Sequence, residues 1–161
     1  IYRYKNQQKK YKMKGDSING FGIYANQPIA QAEVIFNNEA RAHRIVTKRY
    51  VDESWTPVEK DLFARYAVPL SKHIYILWDD DPSVWAPQNH SCYPNTAYDG
   101  LNVIATRPIL AEDELTLDYA TFLDETMEPF DCQCGSSNCR GRVTGTLGNT
   151  MELREKSRPP Q

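Results

Sequence analysis

The chain has 161 residues, of which 40% are hydrophobic and 25% charged, and its formal net charge at pH 7 is -2. This composition is typical of one globular domain with a sizeable core, and the charge argues against nucleic-acid binding through a basic surface. No apolar run approaches the roughly 18 residues of a membrane-spanning helix. No charged and then apolar leader is visible, so an intracellular location is expected.

The N-terminal part of the chain is predicted to be a basic lead-in followed by short strands. Residues 1–14 contain five lysines, which we interpret as a solvated face rather than a binding patch. Asn19-Gly20 is a turn signal, and the apolar residues 23–25 and 34–36 are predicted strands.

The best predicted helix covers residues 57–67. Thr56 suits the N-cap, Pro57 suits the first helical position, and Glu59 at the third position completes a capping box. Apolar side chains recur on one face of this segment, at Val58, Leu62, Phe63 and Tyr66.

Three further strands are predicted, over residues 74–78, 102–106 and 114–119. Residues 85–95 contain too much proline and asparagine for regular structure. Residues 143–161 form a polar tail, which we expect to be disordered over about its last dozen residues.

A weak internal repeat relates two seven-residue segments. Residues 29–35 follow the pattern Ile-x-x-Ala-Glu-x-Ile, and residues 109–115 follow Ile-x-x-Glu-Asp-x-Leu. Each segment is predicted to be a turn followed by the start of a strand. Two such copies are too few for a repeat architecture.

The chain has four cysteines, and three of them lie within eight residues: Cys92, Cys132, Cys134 and Cys139. Four thiolates complete the tetrahedral shell of one structural zinc ion, and small residues between the last three let the backbone wrap an ion. Disulfides and free thiols remain alternatives. A bridge between Cys132 and Cys134 would close a strained ring, and nothing else in the sequence suggests secretion.

Two glycines near the N-terminus formally fit a nucleotide-binding pattern. Residues 20–25 read Gly-Phe-Gly-Ile-Tyr-Ala, but no buried strand precedes them and no helix follows, as a dinucleotide fold requires. The glycines can let the backbone approach a ligand closely, although a plain turn is equally compatible.

The most unusual segment is residues 89–95, Asn-His-Ser-Cys-Tyr-Pro-Asn, which we call the signature loop. A protease dyad of His90 and Cys92 would leave the other three cysteines one ligand short. Residues 114–119, the tyrosine strand, read Glu-Leu-Thr-Leu-Asp-Tyr. On spacing alone, Tyr119 is a core tyrosine with a bonded hydroxyl.

Taken together, these segments resemble the SET-domain protein lysine methyltransferases. Four motifs match in the family's order, over residues 15–142. They are the Gly-x-Gly segment 20–22, the signature loop, the tyrosine strand, and the Cys-x-Cys-Gly-x3-Cys-Arg-Gly pattern of residues 132–141, the cysteine segment. Departures from the family pattern include Ala86-Pro87-Gln88 before the signature loop, Ala32 and Glu112 at turn glycines, and Leu117 at a position that is often aromatic.

The resemblance implies a mainly β fold with short helices: small sheets, a C-terminal pseudoknot and a zinc-bound post-SET segment. The SET domain would cover residues 15–131, with a variable insert at about 37–73. The post-SET zinc motif would cover residues 132–142, between the SET domain and the polar tail. All four cysteines, the signature-loop cysteine included, would bind one zinc ion.

The resemblance also implies methyl transfer from S-adenosylmethionine to a protein lysine, most often in a histone tail, and hence a nuclear location in a eukaryote. Tyr119 would align the amine. The implied cofactor contacts are Gly20, Phe21, Gly22, Ile23, Asn89, His90, Phe130 and Gln133. The implied lysine channel contains Tyr98, Leu117 and, more weakly, Tyr75.

The departures before the signature loop leave one alternative, a catalytically inactive SET-like module that zinc stabilises for protein interaction. The acidic residues 79–81 would favour a basic peptide, although such a run is more often solvated surface. No membrane or nucleic-acid partner is expected.

Overall fold

The computed structural model describes residues 9–16, 20–40, 43–77 and 87–145. Every element in it is short. The strands are β1 Tyr11–Asp16, β2 Gly20–Ala25, β3 Val34–Phe36, β4 Arg44–Thr47, β5 Val68–Pro69, β6 Ile74–Leu77, β7 Asn89–His90, β8 Thr96–Asp99, β9 Asn102–Ala105, β10 Thr116–Leu117, β11 Phe130–Asp131 and β12 Arg142–Val143. The helices are α1 Lys48–Ser54 and α2 Pro57–Tyr66, with 3-10 turns at Asn38–Ala40 and Tyr119–Thr121.

The strands form small sheets of two or three members. The three-stranded sheets have the orders β3-β9-β8 and β4-β6-β5, and the pairs are β1-β2, β7-β10 and β11-β12. Only the β7-β10 pair is parallel among the paired strands described. That pair brings the signature loop against the tyrosine strand, and Asn138 of the cysteine segment then donates to the carbonyl of Cys92. The predicted mainly β fold with a C-terminal pseudoknot is confirmed.

Two hydrophobic clusters hold these small sheets together. The larger packs strands β2, β3 and β9 against the chain before β10, through residues such as Ile23, Val103 and Leu115, which are 2% exposed or less. The smaller joins α1 and α2 to β4 and β6 through Val51, Phe63 and other buried side chains. The predicted insert, 37–73, supplies most of the residues of the smaller cluster. It therefore has a hydrophobic cluster of its own beside the larger one.

The predicted helix is confirmed, with its capping box. The Glu59 N–H donates to the Thr56 hydroxyl at 3.3 Å, and the Thr56 N–H donates to the Glu59 carboxylate at 2.8 Å. Helix α1 was not predicted from the sequence. It has seven residues, and Val51 alone is buried, so its apolar periodicity is too brief to detect. Neither helix has the length and apolarity of a membrane span, and the described residues contain no other α-helix.

Several predicted boundaries differ from the structure. Strand character begins at Tyr11, inside the expected lead-in, and a strand lies within the signature loop, which was predicted to be irregular. The prediction of one strand over residues 114–119 is wrong, because β10 covers only Thr116–Leu117 and Tyr119 opens a 3-10 turn. Asn19, Trp78, residues 79–81 and residues 146–161, most of the predicted tail, lie outside the described residues.

The two seven-residue segments of the internal repeat are antiparallel to each other and are joined by a β-bridge. Ile29 and Ile109 exchange both backbone hydrogen bonds at 2.9 Å, and each is 2% exposed. The turn positions also correspond, because the Ala32 N–H donates to the carbonyl of Ala105 and the Glu112 N–H donates to that of Ala25, both at 2.8 Å. The internal repeat therefore corresponds to two turns that are hydrogen-bonded to each other through residues of the larger core.

Both turns contain a non-glycine residue in the left-handed region, with φ of 66° at Ala32 and 74° at Glu112. That conformation costs an L residue about 1–2 kcal/mol, and glycine removes the strain but loses about 0.4–1 kcal/mol through its freer unfolded chain. We expect Ala32→Gly to stabilise the fold by about 0.5–1 kcal/mol and to raise the melting temperature by about 1–4 °C.

The matched control for this substitution is Ala64→Gly, at an exposed position within α2. There the φ angle is helical, so glycine should destabilise by about 1 kcal/mol. Thermal melts of both variants test the argument. A lower melting temperature for Ala32→Gly than for the wild type would show that the turn is not strained.

Candidate active site and metal centre

A cavity of about 520 Å³ opens between the signature loop, the tyrosine strand and the cysteine segment. Its lining includes five predicted site residues, Asn89, His90, Tyr119, Phe130 and Gln133. Cys132 and Cys134 also line it, as do Glu114 and Thr116 of the tyrosine strand. The structure thus brings together residues from three separate parts of the sequence.

Asn89 ties the Gly-x-Gly strand to this cavity. Its side-chain amide donates to the carbonyl of Phe21 at 2.6 Å and to the Glu114 carboxylate at 2.9 Å. A Cβ atom on Gly22 would lie 2.6 Å from the same carboxylate oxygen, so only glycine fits there without a shift. Glu114 was not predicted as a site residue. Its acidic side chain within the tyrosine strand could have indicated a polar role at the site.

The other predicted residues of this strand have different surroundings. The Phe21 ring is 67% exposed, whereas Ile23 is 1% exposed and belongs to the larger core. Gly20 has a φ of 86° and opens β2. None of these three residues lines the cavity with its side chain, so a contact from this strand to a ligand would use the backbone.

Tyr119 lies at the inner edge of the cavity. Its hydroxyl donates to the carbonyl of Gln88, and its ring meets those of His90, Phe122 and Phe130 edge-on with centroids 5.4–6.0 Å apart. Burial raises the pKa of the Tyr119 phenol far above its usual value. The hydroxyl is therefore protonated throughout the neutral range.

The predicted channel residues separate into two groups. Tyr98 packs on Phe122 with ring centroids 4.9 Å apart, so one ring separates it from Tyr119, and Leu117 is buried in β10. Tyr75 instead lies in the smaller hydrophobic cluster and donates to the buried carboxylate of Asp124 at 2.7 Å. The structure does not bring Tyr75 to the cavity lining.

The four cysteine sulfur atoms converge into what we call the cysteine cluster, all within 4.8 Å of one another. The sulfurs of Cys92 and Cys132 are 3.8 Å apart, which is the edge, ~3.8 Å, of a tetrahedron with zinc–sulfur distances of ~2.3 Å. A disulfide would need ~2.05 Å. The donor set and its spacing therefore fit a metal ion bound by four thiolates.

Hydrogen-bonding groups of the protein contact the sulfur atoms of the cysteine cluster. The Arg140 N–H donates to the sulfur of Cys92 at 3.4 Å, and the Ser136 hydroxyl lies 3.1 Å from that of Cys134. Burial raises the pKa of the Cys134 thiol, but hydrogen bonds, chiefly with Ser136, outweigh it and bring the pKa to about 5. Burial instead raises the pKa of Cys92 and raises that of Cys132 to about 12, so Cys134 is the thiol that the protein alone deprotonates most readily. A thiolate is the form that binds a metal.

His90 connects the cysteine cluster with Tyr119. Its Nδ1 accepts the Tyr119 N–H at 3.1 Å, and its Nε2 lies 3.4 Å from the sulfur of Cys92. Burial lowers the pKa of His90, so the ring is neutral at pH 7. From this network we assign the single ring proton to Nε2, where it donates to the sulfur.

A family model described as "SET domain" matches residues 20–120, which is more than half of the chain. The chain belongs to the SET-domain family. All buried residues of its larger core except Phe122 lie within the matched residues, as do the signature loop and Tyr119, whereas the last three cysteines follow them. The SET domain and the cysteine segment thus share one cavity.

Known proteins similar to this SET domain include histone-lysine N-methyltransferase SETD1B of Homo sapiens, 27% identical over 158 residues that cover 85% of this chain and 7% of that protein. The probable inactive histone-lysine N-methyltransferase SUVR1 of Arabidopsis thaliana is 39% identical over 67 residues, which cover 40% of this chain and 9% of that protein. This chain therefore spans less than a tenth of either relative.

The methyltransferase domain of human histone-lysine N-methyltransferase SETMAR has a similar structure, with a TM-score of 0.57 and 16% sequence identity. The match covers 84% of this chain and 58% of that one. This likeness supports the fold of the SET domain.

Gln88, the residue directly before the signature loop, connects the start of this loop with Tyr119. Gln88 is 7% exposed, and its amide donates to the Thr96 hydroxyl at 2.9 Å. Its carbonyl accepts the Tyr119 hydroxyl. Gln88 thereby anchors the start of the signature loop next to Tyr119, a role that the sequence did not predict.

Proposed function

We propose that this SET domain transfers a methyl group from S-adenosylmethionine to the side-chain amine of a protein lysine, with a histone tail as the favoured substrate. The observation that carries the proposal is the convergence on one cavity of Tyr119, the signature loop and the cysteine segment. The SET-domain membership and the histone-lysine methyltransferase relatives support the same reaction.

The cavity has the character of a site for a cationic cofactor. Its volume of about 520 Å³ lies within the range of small-molecule sites. Carboxylates of Glu114 and Asp131 line it and would attract a positively charged sulfonium compound. Gln133 and the half-buried ring of Phe130 would cover an adenine, and Asn89 holds the backbone of Phe21 at the other side.

The cofactor supplies an electrophilic methyl group: the amine nitrogen forms the new bond with its lone pair, and the electrons of the broken carbon–sulfur bond stay on sulfur. The lysine must first be neutral. With a pKa near 10.4, only about one lysine in a thousand is neutral at pH 7.4, which costs roughly 4 kcal/mol. The apolar surroundings of Leu117, Tyr98 and Phe122 disfavour the ammonium form and reduce this cost.

The hydroxyl of Tyr119 orients the reacting groups. Its proton is engaged by the carbonyl of Gln88, so its oxygen lone pairs can accept a hydrogen bond from an amine N–H or weak contacts from the polarised methyl group. Because Gln88 is itself anchored by Thr96, the oxygen is held in place before the substrates bind, and the remaining rate enhancement comes from attack geometry.

We infer that the cysteine cluster binds one zinc ion in a structural role. Cys92, Cys132, Cys134 and Cys139 fill all four positions and leave none for a substrate. The ion would fasten the cysteine segment, and with it Phe130 and Gln133, against the signature loop. In a eukaryote, a histone substrate would place the protein in the nucleus.

Two measurements test the proposed reaction. Calorimetric titration with S-adenosylmethionine should show one binding site per chain, and radiolabelled methyl transfer onto histones and a peptide array, read by mass spectrometry, should modify lysine. With Tyr98 one ring from Tyr119, we expect mono- or dimethylation. Cofactor binding without transfer to any protein would favour the inactive interaction module, and absence of cofactor binding would overturn the proposal.

A further inference from the structure

Arg140, which directly follows the last cysteine, is the residue through which the cysteine segment reaches the turn of Tyr119. Its guanidinium contacts both carboxylate oxygens of Asp118, one of them at 2.9 Å. The Asp118 side chain is 12% exposed and that of Arg140 is 41% exposed. Such a two-point contact is stronger and more directional than a single ion pair.

Asp118 in turn caps the 3-10 turn that Tyr119 opens. One of its carboxylate oxygens accepts the Ala120 N–H at 3.1 Å. A carboxylate that is nearly buried needs its partners, because leaving it unpaired carries a desolvation penalty. Arg140 therefore holds the group that fixes the geometry of this turn.

The other end of Arg140 is tied to the cysteine cluster. Its backbone N–H donates to the sulfur of Cys92, and the preceding residue is Cys139. An ion bound by both sulfurs would fix the backbone of Arg140 from two directions. Among the described residues, the two-residue pair of β11 and β12 flanks the cysteine segment on either side, and so short a pair holds the segment weakly when the ion is absent.

We propose that Arg140 is a positioning residue that makes the geometry of Tyr119 depend on metal binding in the cysteine cluster. This inference rests on the proposed metal centre and the proposed reaction. Metal binding fixes Arg140, Arg140 fixes Asp118, and Asp118 fixes the turn. His90 provides a second connection between Cys92 and the Tyr119 N–H, so loss of Arg140 should weaken the coupling without abolishing it.

Hydrogen exchange of the intact chain tests this coupling independently of activity. In the wild type, zinc should slow amide exchange across residues 118–122 relative to chelator-treated protein. In Arg140→Ala, exchange of the zinc-bound protein should be about fivefold faster, as expected for loss of about 1 kcal/mol from a partly exposed pair. Arg140→Lys keeps the charge but cannot make the two-point contact of a guanidinium with a carboxylate. It should therefore restore only part of the protection from exchange.

The matched control is Arg142→Ala. Arg142 contacts Asp131 at 2.8 Å directly outside the cysteine segment, but both side chains are more than half exposed and neither touches Asp118. This variant should exchange across residues 118–122 like the wild type. In activity assays, Arg140→Ala should lower kcat several-fold while the KM for S-adenosylmethionine stays near that of the wild type.

Metal analysis of the same samples distinguishes failure of the positioning role of Arg140 from failure of the proposed function. A wild-type chain that binds zinc and transfers methyl groups, but whose Arg140→Ala variant keeps full zinc-dependent protection, would overturn the positioning role alone. A wild-type chain with neither zinc nor methyl transfer would overturn the proposed function and this inference with it.

Discussion

Tyr119→Phe is expected to reduce methyl transfer by at least about 10²-fold, the usual effect of removing one preorganised polar group from the reacting centre. Phenylalanine keeps the ring contacts with His90, Phe122 and Phe130. It removes only the oxygen that would align the amine and the methyl group. Binding of S-adenosylmethionine, followed by calorimetry, should therefore stay near the wild-type value while kcat falls.

The same substitution leaves the Gln88 carbonyl without its donor, which should cost about 1–3 kcal/mol of stability. Thermal melts must therefore accompany the kinetics, so that lost activity is not mistaken for lost fold. Tyr50→Phe is the matched control, because Tyr50 lies on α1 and is 54% exposed. Turnover of Tyr119→Phe at the wild-type rate would remove Tyr119 from the mechanism.

Cys92→Ser is expected to release the metal. Cys92 is 5% exposed and is the cysteine that the signature loop contributes to the cluster. Serine is a poor zinc ligand, so metal analysis should fall from one zinc per chain to well below that. Because the ion would hold Phe130 and Gln133 at the cavity, the affinity for S-adenosylmethionine should also fall, and chelation of the wild-type protein should have the same effect.

Ser137→Ala is the control for that substitution, since Ser137 is an exposed residue of the cysteine segment that contributes no sulfur to the cluster. It should keep both zinc and cofactor affinity. Purified wild-type protein without metal would contradict the zinc site, and a thiol titration would then distinguish paired cysteines from free ones.

Local sequence signals predicted the parts of this molecule that depend on neighbouring residues. The capping box of Thr56 and Glu59 needs only positions three apart, so the start of α2 was predictable to the residue. The four cysteines indicated a metal site because thiolate chemistry and spacing leave few alternatives. Helix α1 was not predicted, because it has one buried residue and takes its stability from packing in the smaller hydrophobic cluster.

The residues that motif matching missed act through contacts distant in sequence. Gln88 accepts the hydroxyl of Tyr119 with its backbone carbonyl, which any residue type could supply, so no side-chain pattern reveals it. Asp118 and Arg140 both stood within the quoted motifs. Their pairing became visible only when the parallel β7-β10 pair placed the tyrosine strand beside the signature loop, against which the cysteine segment also packs.

By itself, the sequence determined the family resemblance, the set of four candidate sulfur ligands and the tyrosine at the centre of the proposed reaction. Those are statements about residue types and their order. Only the tertiary structure decided that Tyr75 lies away from the cavity, that Tyr119 opens a turn rather than ending a strand, and that His90 and Arg140 join the cysteine cluster to Tyr119. The physical reason is that hydrogen bonds and ion pairs require particular atoms within about 3 Å, and chain folding alone brings those atoms together.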